Sequence, residues 1–295
     1  MNEILAPEWD ERITRLRLGI ELADALGRPG PVAGLGVFSE NVPRPHPVPR
    51  RHGRPDDDIG LPGVRRNPSG RFAIAFTARD AAAPVAPARL DVRVTDPSRR
   101  YVPRRLSIPV PTLAGVLAAD KAHDIDPTVS LAPRACRPSL FPGADYGTHA
   151  GATIIKGRAT WGAGGPPVQW ARIEATADGA GHSGPWRAHG DDRGEFLLVI
   201  GLLSLVLAQR RSLTVDVDVT VHARPVPSPD TPVDPPAQSR DDPLWHLPVE
   251  RLATLDPSDP VATGEALPPG YTSTTSRVVT CRRGQPVRPL PFVLN

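Results

Sequence analysis

The sequence predicts an all-β protein, and three observations support that prediction. The 295 residues include 38 prolines and 26 glycines, which interrupt helices and favour short strands and turns. Several stretches alternate apolar and polar residues with the period of two that a half-buried strand shows. The spacing of an amphipathic helix is scarce, and only residues 249–255 could form a turn or two of helix.

Four stretches show the strand alternation most clearly, namely residues 16–22, 90–94, 106–110 and 213–221. In the last of these, valine occupies every second position from 215 to 221, and the positions between carry threonine or aspartate. The hydrophobic content of 39% is sufficient for a core. Because aromatic residues make up only 5%, we expect this core to consist of valine, leucine, isoleucine and alanine.

The order of these stretches repeats once along the chain. Each copy has a strand, a Gly/Pro turn, a second strand, a polar turn that opens a third strand, and an alternating strand. The third strand opens at Phe72 in one copy and at Phe196 in the other, 124 positions apart. The alternating strands begin at Leu90 and Leu213, 123 positions apart. The near-equal offsets indicate an internal duplication.

The duplication divides the chain into four parts. Residues 1–111 form the first unit, which carries a Pro/Arg-rich insertion at 41–63, and residues 112–147 form a linker. Residues 148–226 form the second unit. Residues 227–295 form a Pro-rich tail that we expect to be extended.

The second copy resembles the carboxypeptidase regulatory-like domain, a small transthyretin-like β-sandwich of about seven strands. The matching residues are Gly157, Arg158, Pro167, Val168, Ala171, Ile173, Asp192, Gly194 and Phe196. The first copy matches through Pro31, Val32, Gly34, Val37, Gly70 and Phe72. The resemblance covers about two-thirds of the chain and implies two tandem transthyretin-like or Ig-like sandwiches. It also implies a non-catalytic module of a larger assembly.

The layout as a whole resembles accessory proteins of phage-tail-like contractile injection systems. It shares with them a Pro/Arg-rich composition, two sandwiches and a long tail without an enzymatic domain. This resemblance implies a structural protein in a cap, baseplate or accessory position, with other protein subunits as partners. It implies no enzymatic activity, and we expect no cofactor, metal or small-molecule substrate.

Charge and hydropathy argue against nucleic acid and membrane as partners. The net charge is only +3, from 35 basic and 32 acidic residues, and no basic stripe with interleaved aromatics occurs. The start has no signal-peptide pattern, and the longest apolar run, residues 196–208, is shorter than the roughly 20 residues a membrane helix needs. The expectation is a cytoplasmic protein.

The two cysteines, Cys136 and Cys281, form no disulfide framework or C-x-x-C site, and whether they pair stays open. Cys136 lies between Arg134 and Arg137, whose charges would favour a thiolate. No base is near it in sequence, so a nucleophilic role is disfavoured.

The densest group of chemically active residues is His189, Asp191, Asp192 and Glu195. A metal-dependent enzyme would bring these side chains to one point, and this stays an alternative. We prefer a structural interpretation, in which the aspartate binds the backbone of a turn and Gly194 supplies a positive φ. The first copy has Asn-Pro-Ser-Gly, ending at Gly70, at the same place and lacks the acids and the histidine. On this interpretation Asp192, Gly194, Phe196, Gly70 and Phe72 serve the turn and the strand that follows it.

Three tryptophans, Trp161, Trp170 and Trp186, cluster in the second copy. They belong to the core or an interface, or form an exposed row that binds carbohydrate or the cell envelope. The first interpretation is favoured, because large aromatic residues dominate interface energetics.

The tail carries apolar residues that we expect to dock on a partner subunit, by strand addition to a sheet edge or by contact with its surface. These tentative partner-binding residues are Trp245, Leu247, Val278, Val279, Phe292 and Leu294.

Overall fold

The computed structural model describes residues 15–29, 32–39, 65–67, 69–77, 89–149, 151–177, 185–200, 214–225 and 243–295. In this part of the chain the protein is mostly β-strand, with one α-helix, so the all-β prediction is confirmed. The predicted insertion at 41–63 lies outside the described residues.

The strands of the N-terminal half are β1 (Arg15–Ile20), β2 (Ala23–Asp24), β3 (Gly36–Ser39), β4 (Arg65–Arg66), β5 (Phe72–Thr77), β6 (Arg89–Thr95), β7 (Arg104–Pro109), β8 (Ala135–Cys136) and β9 (Ser139–Leu140). The helix α1 (Leu113–Ile125) lies between β7 and β8. The remaining strands are β10 (Thr153–Trp161), β11 (Arg172–Thr176), β12 (Trp186–His189), β13 (Glu195–Ile200), β14 (Thr214–Ala223), β15 (Val249–Arg251), β16 (Ser273–Arg282) and β17 (Pro286–Leu294). A short 3₁₀ turn, Pro243–His246, precedes β15.

Two sheets enclose the first hydrophobic cluster. One has the order β4-β5-β1-β8 and the other β15-β7-β6-β3. The alternation at 16–22 and 90–94 sends Leu18, Ile20, Leu90 and Val92 into this cluster, where all four are fully buried. Most of the driving force for folding this half comes from the apolar surface these strands remove from water.

Two further sheets enclose the second cluster, with the orders β13-β10-β17 and β12-β11-β14-β16. Val217, Val219 and Val221 of β14 point into it and have no exposed surface. Phe196 lies against the backbone of Gly157, its partner across the β10–β13 ladder. A Cβ on Gly157 would stand 2.2 Å from the ring of Phe196, so the ring packs where only glycine leaves room.

Strand pairing follows the same scheme in both halves. β1 pairs antiparallel with β5 and parallel with β8, and β10 pairs antiparallel with β13 and parallel with β17. The antiparallel succession β3-β6-β7 has its counterpart in β11-β14-β16. We call the part built around the first cluster the first unit, and the part built around the second cluster the second unit.

The C-terminal residues return to both units. β15 pairs in parallel with β7 of the first unit, β16 pairs with the whole length of β14, and β17 pairs in parallel with β10. The prediction of an extended tail is therefore wrong for residues 243–295, here called the C-terminal segment, while 227–242 lie outside the described residues. The cause is long-range pairing. The partners β7 and β10 lie more than a hundred residues earlier in the chain, and β14 is separated from β16 by an intervening stretch of chain.

Two further local predictions need correction. The predicted linker at 112–147 contains α1, capped by the Thr112 side chain that accepts from the Gly115 amide, and it contains β8 and β9, which pair with β1 and β2. Residues 112–147 are therefore a folded part of the first unit. Residues 249–255, which by their sequence could form a turn or two of helix, begin with the strand β15 because β7 offers a parallel edge.

Candidate functional site

The acidic stretch at 191–195 forms a tight turn. The Asp191 carboxylate accepts from the amides of Arg193 and Glu195, both at 2.9 Å, and the Asp191 amide donates to the Glu195 carbonyl. Gly194 has φ +73° at the turn's end, and Phe196 is buried two residues later. The sequence singled out Asp192, but the carboxylate that holds the turn is that of Asp191.

The pKa of Asp191 reflects its burial in this turn. Burial raises the pKa of Asp191 to about 6, against the lowering effect of the hydrogen bond from the Glu195 amide. The neighbouring Asp192 and Glu195 charges raise the pKa further. Within the described residues, no group of three or more histidine, cysteine, aspartate or glutamate side chains forms a potential metal site.

His189 lies apart from these carboxylates. Its ring is 1% exposed and stacks on Phe141 of the first unit, with ring centroids 3.8 Å apart. Neither ring nitrogen has a hydrogen-bond partner. Burial, followed by the charges of Arg172 and Arg104, lowers the pKa of His189 well below its usual value. The convergence of His189 with Asp191, Asp192 and Glu195 that the metal-enzyme alternative requires is therefore not the arrangement that the fold produces.

The two units and the C-terminal segment meet at a buried ion triad formed by Arg104, Glu250 and Arg172. Arg104 of β7 binds both oxygens of Glu250 in β15, at 3.1 and 2.7 Å. Arg172 of β11 donates to the same carboxylate at 3.1 Å. The three side chains are at most 4% exposed. We call this triad with His189 and Phe141 the junction.

Arg104 is fully satisfied in the junction. Besides its two bonds to Glu250, it donates to the backbone carbonyls of Ser139, Val261 and Ala262. All five guanidinium N–H groups are thus used, which offsets much of the cost of burying the charge. Burial alone would raise the pKa of Glu250, but the charges and hydrogen bonds of Arg104 and Arg172 hold that pKa below its ordinary value.

A small apolar cluster lies beside the triad. Trp170, 2% exposed, packs with Val102 of the first unit and Leu247 of the C-terminal segment. The Tyr271 hydroxyl donates to the Trp170 carbonyl at 2.6 Å. Trp170 has φ +60°, an uncommon conformation for a residue with a bulky side chain.

Sequence reasoning missed the triad because it leaves no local pattern. Glu250 lies 146 positions from Arg104 and 78 from Arg172. The only trace in the sequence is a glutamate between two apolar positions, Val249 and Leu252, in a stretch interpreted as helical.

The predicted partner-binding residues do not share one environment. Leu247, Val279, Phe292 and Leu294 are at most 4% exposed and pack inside the protein's own clusters, so their assignment to a partner surface is wrong. Trp245 lies in the 3₁₀ turn Pro243–His246. Val278 is different: it is 63% exposed.

Val278 belongs to an edge strand. β16 is the last strand of its sheet, and β14 is the only described strand that pairs with it. Val279 and Cys281 point into the second cluster, so Val278 and Thr280 point outward, with Val278 opposite Asp218 of β14. Arg277 and Arg282 on the same strand are exposed. β16 thus presents a ten-residue edge without proline.

The three tryptophans do not form an exposed row. Trp170 and Trp186 are buried at 2% and 8% exposure. Trp161, at the end of β10, is half-buried and lines a groove of about 550 Å³. The other groove residues are Pro166, Pro167, Gln169, Pro225 and His246.

Both cysteines are buried free thiols. Burial raises the pKa of Cys136 to about 12, more than the nearby Arg104 charge lowers it, and raises that of Cys281 to about 11. The lowered pKa that the arginines beside Cys136 suggested is therefore not found, because the thiol points into the first cluster.

Comparison with known proteins gives no family. No family model matches the chain, and no curated protein matches it. Among solved structures, the shaft pilin SpaA of Lactobacillus rhamnosus GG matches at 11% identity and a TM-score of 0.19, covering 73% of this chain and 89% of that chain. A mutant of the same pilin matches at 10% and 0.20, covering 75% and 90%. TM-scores this low do not establish a shared fold, so nothing about this chain rests on them.

No helix in the described parts of the chain has the length and apolar character needed to cross a bilayer.

Proposed function

We propose that this chain is a non-catalytic structural subunit of a larger protein assembly, joined to a neighbouring subunit through the outer edge of β16. The observation that supports this most directly is Val278, which is 63% exposed on a ten-residue edge strand. Unpaired edges accept strands from other chains, and natural proteins usually block them with charged side chains, above all lysine, with proline or with a bulge. Lysine and proline are absent from β16.

The neighbouring edge on the same side of the second unit is chemically different. β17 is also the last strand of its sheet, but it contains Pro286, Pro289 and Pro291. Each proline removes a backbone donor, and prolines are tolerated on edges that do not continue a ladder. The two edges therefore differ in their ability to accept a strand, and β16 is the suitable one.

The charge of β16 defines the partner. Arg277 and Arg282 flank Val278 and are exposed, while Asp218 lies beside Val278 on β14. An extended partner segment would place an apolar side chain next to Val278 and acidic side chains next to the arginines. The partner we propose is such an acidic, extended segment of another subunit.

The resemblance of the layout supports the kind of assembly that we propose. We propose a phage-tail-like contractile injection particle, with this chain in a cap, baseplate or accessory position in the cytoplasm. We also propose that the two units are duplicated transthyretin-like sandwiches. The matched pairing of β1, β5 and β8 with β10, β13 and β17 supports the duplication.

The test compares the tagged full chain with Val278→Lys and the control Ile125→Lys, each produced in the organism that encodes it. Ile125, 76% exposed at the end of α1, is a matched apolar surface residue on the other unit. Particles are isolated by sedimentation, and the chain is quantified in them. We expect the wild type and Ile125→Lys to sediment at a fixed ratio to the particle and Val278→Lys to remain free.

Two results would contradict the proposal in different ways. If Val278→Lys sedimented like the wild type, the edge of β16 would not be the docking surface. If the wild-type chain were recovered only as a free monomer, the assembly role itself would fail.

A second candidate, carbohydrate or envelope binding, is supported by the groove at Trp161 alone. An indole beside an amide and an imidazole suits a sugar ring, which stacks on the aromatic face and hydrogen-bonds through its hydroxyls. Calorimetric titration with soluble oligosaccharides would show binding that Trp161→Ala abolishes and Val278→Lys retains. Absence of binding by the wild type to any of them would remove this candidate.

A further inference from the structure

His189 and Arg172 are direct neighbours across a ladder. They are paired in register on the adjacent strands β12 and β11, so their side chains lie side by side on one face of the sheet. Both are almost completely buried, at 1% and 4% exposure. Opposite charges at such a pair of positions stabilise a sheet, and like charges destabilise it.

The groups around the His189 ring come from three directions. Phe141 of the first unit stacks on one face, and Gly264 of the C-terminal segment lies close to Nε2, so neither supplies a charge. The charges acting on the ring are those of Arg172 on β11 and Arg104 on β7. Glu250 on β15 is bound to both arginines.

The charge balance of the junction is already positive. Two arginines share the single carboxylate of Glu250, which leaves one positive charge unmatched within the triad. A proton on His189 would add a second positive charge in the same enclosed space. Its ring nitrogens have no acceptor there to bind an added N–H group.

We propose that His189 makes the junction an acid-sensitive latch, closed while the imidazole is neutral and opened by acid, with separation of residues 249–264 from the two units. These residues carry Glu250 and Gly264 over the histidine, and they join the first unit to the second. The proposal is independent of docking at β16.

The direction of the pH dependence follows from the burial of the imidazole. In the open form His189 takes its ordinary pKa near 6.5, whereas in the closed form the pKa lies well below that value. Above the ordinary pKa neither form binds the proton, and the latch is at full strength. As the pH falls below about 6.5, only the open form is protonated, so the equilibrium constant for opening rises about tenfold for each pH unit.

Hydrogen exchange with mass spectrometry tests this on the full chain, with protection factors corrected for intrinsic exchange, at pH 7.5 and pH 5.5. In the wild type we expect protection of residues 249–264 to fall about tenfold between these pH values. We expect β14 and β10 to keep their protection. In His189→Phe, which keeps a ring against Phe141, protection of 249–264 should not change with pH.

The matched control is His149→Phe, because His149 is exposed and lies outside the junction. It should retain the tenfold wild-type change. If His189→Phe did not fold, the wild type would still decide: in ¹³C-labelled histidine NMR the closed-state signal of His189 should stay that of a neutral ring over this range.

Three outcomes would overturn the latch. One is unchanged protection of residues 249–264 in the wild type at pH 5.5. Another is an equal loss across β10, β14 and residues 249–264, which would be general acid unfolding. The third is a His189→Phe variant with the same pH dependence as the wild type, or a closed-state NMR signal of His189 that titrates between pH 7.5 and pH 5.5.

Discussion

The turns at 67–72 and 191–196 do the same work with different residues. In the first, Asn67 binds the Arg71 amide through its side chain at 3.0 Å, and its own amide donates to the Arg71 carbonyl. In the second, Asp191 makes the same two contacts with Glu195. Each turn ends in a glycine with positive φ and launches a strand through a buried phenylalanine. Asparagine and aspartate thus serve the same kind of turn, and this backbone role alone accounts for Asp191 at this position.

The two units differ in how their sheets are completed. β1 is flanked by β8, which has only two residues and precedes the second unit in the chain. β10 is flanked by β17, which has nine residues and belongs to the C-terminal segment, as does β16 on β14. The second unit therefore depends far more on this segment than the first.

Removal of residues 273–295 should have the largest effect. It deletes Val279, Cys281, Phe292 and Leu294 from the second cluster, where each buried side chain contributes roughly 2–4 kcal/mol. Their sum approaches the whole stability of a domain, about 5–15 kcal/mol. Hydrogen exchange should show β11 and β14 unprotected, with β1 and β6 still protected. Retained protection of β14 would contradict the comparison between the units.

Glu250→Gln should come next, with a loss of about 3–5 kcal/mol in the free energy of unfolding. The variant leaves two buried arginines without a counter-charge. Chemical denaturation followed by tryptophan fluorescence measures it. The control Glu21→Gln removes exposed ion pairs with Arg71 and Arg137 and should cost less than about 1 kcal/mol. Equal effects of the two variants would show that burial of the triad is unimportant.

Alanine substitutions at the turn glycines should lower the free energy of unfolding by smaller amounts, which differ between the two units. Alanine at either Gly70 or Gly194 must adopt a positive φ, at a cost of about 1–2 kcal/mol. At Gly194 the new Cβ would also stand 2.4 Å from the Ala159 carbonyl oxygen. We expect about 3 kcal/mol for Gly194→Ala and about 1 kcal/mol for Gly70→Ala, measured by denaturant midpoints. A larger effect at Gly70 would be inconsistent with this packing.

The smallest effect should come from Asp191→Asn, which should change only the pH dependence of the free energy of unfolding. The folded pKa of Asp191, about 6, lies above its ordinary value of 3.8, so its stabilising contribution is present below pH 4 and declines as the pH rises through 6. Asparagine keeps the acceptor and does not titrate. The variant should gain less than about 1 kcal/mol over the wild type between pH 4 and pH 8, because the carboxylate is partly exposed. Free energies of unfolding of the wild type and the variant that stay parallel between pH 4 and pH 8 would contradict this. Asn67→Asp, in the exposed turn, serves as the control.

Local patterns predicted the local parts of this fold. The alternation at 213–221 corresponds to β14, Phe72 is the first residue of β5, and Phe196 is the second residue of β13. The parallel pairings of β15 and β17 could not be predicted, because a strand's partner is set by what remains unpaired in the folded units. The triad could not be predicted either, because Arg104 and Arg172 meet the Glu250 carboxylate only in the folded protein.

The overlooked helix α1 had a readable signal. Thr112 is a favourable N-cap, and the following residues are rich in alanine and leucine, with Val116 buried and Leu117 exposed. The high proline content of the chain as a whole concealed this stretch, which itself contains no proline between 113 and 125.

The return of the C-terminal segment to both units sets the order of events during biosynthesis. A ribosome that has released residues 1–225 has released neither β15, which extends the sheet of β7, nor the partners that cover β10 and β14. The second unit therefore stays incomplete until Phe292 and Leu294 have emerged, whereas the sheet of the first unit can be completed once β15 has been released. Contacts this distant in sequence also predict slow folding and a need for protection from aggregation in the interval.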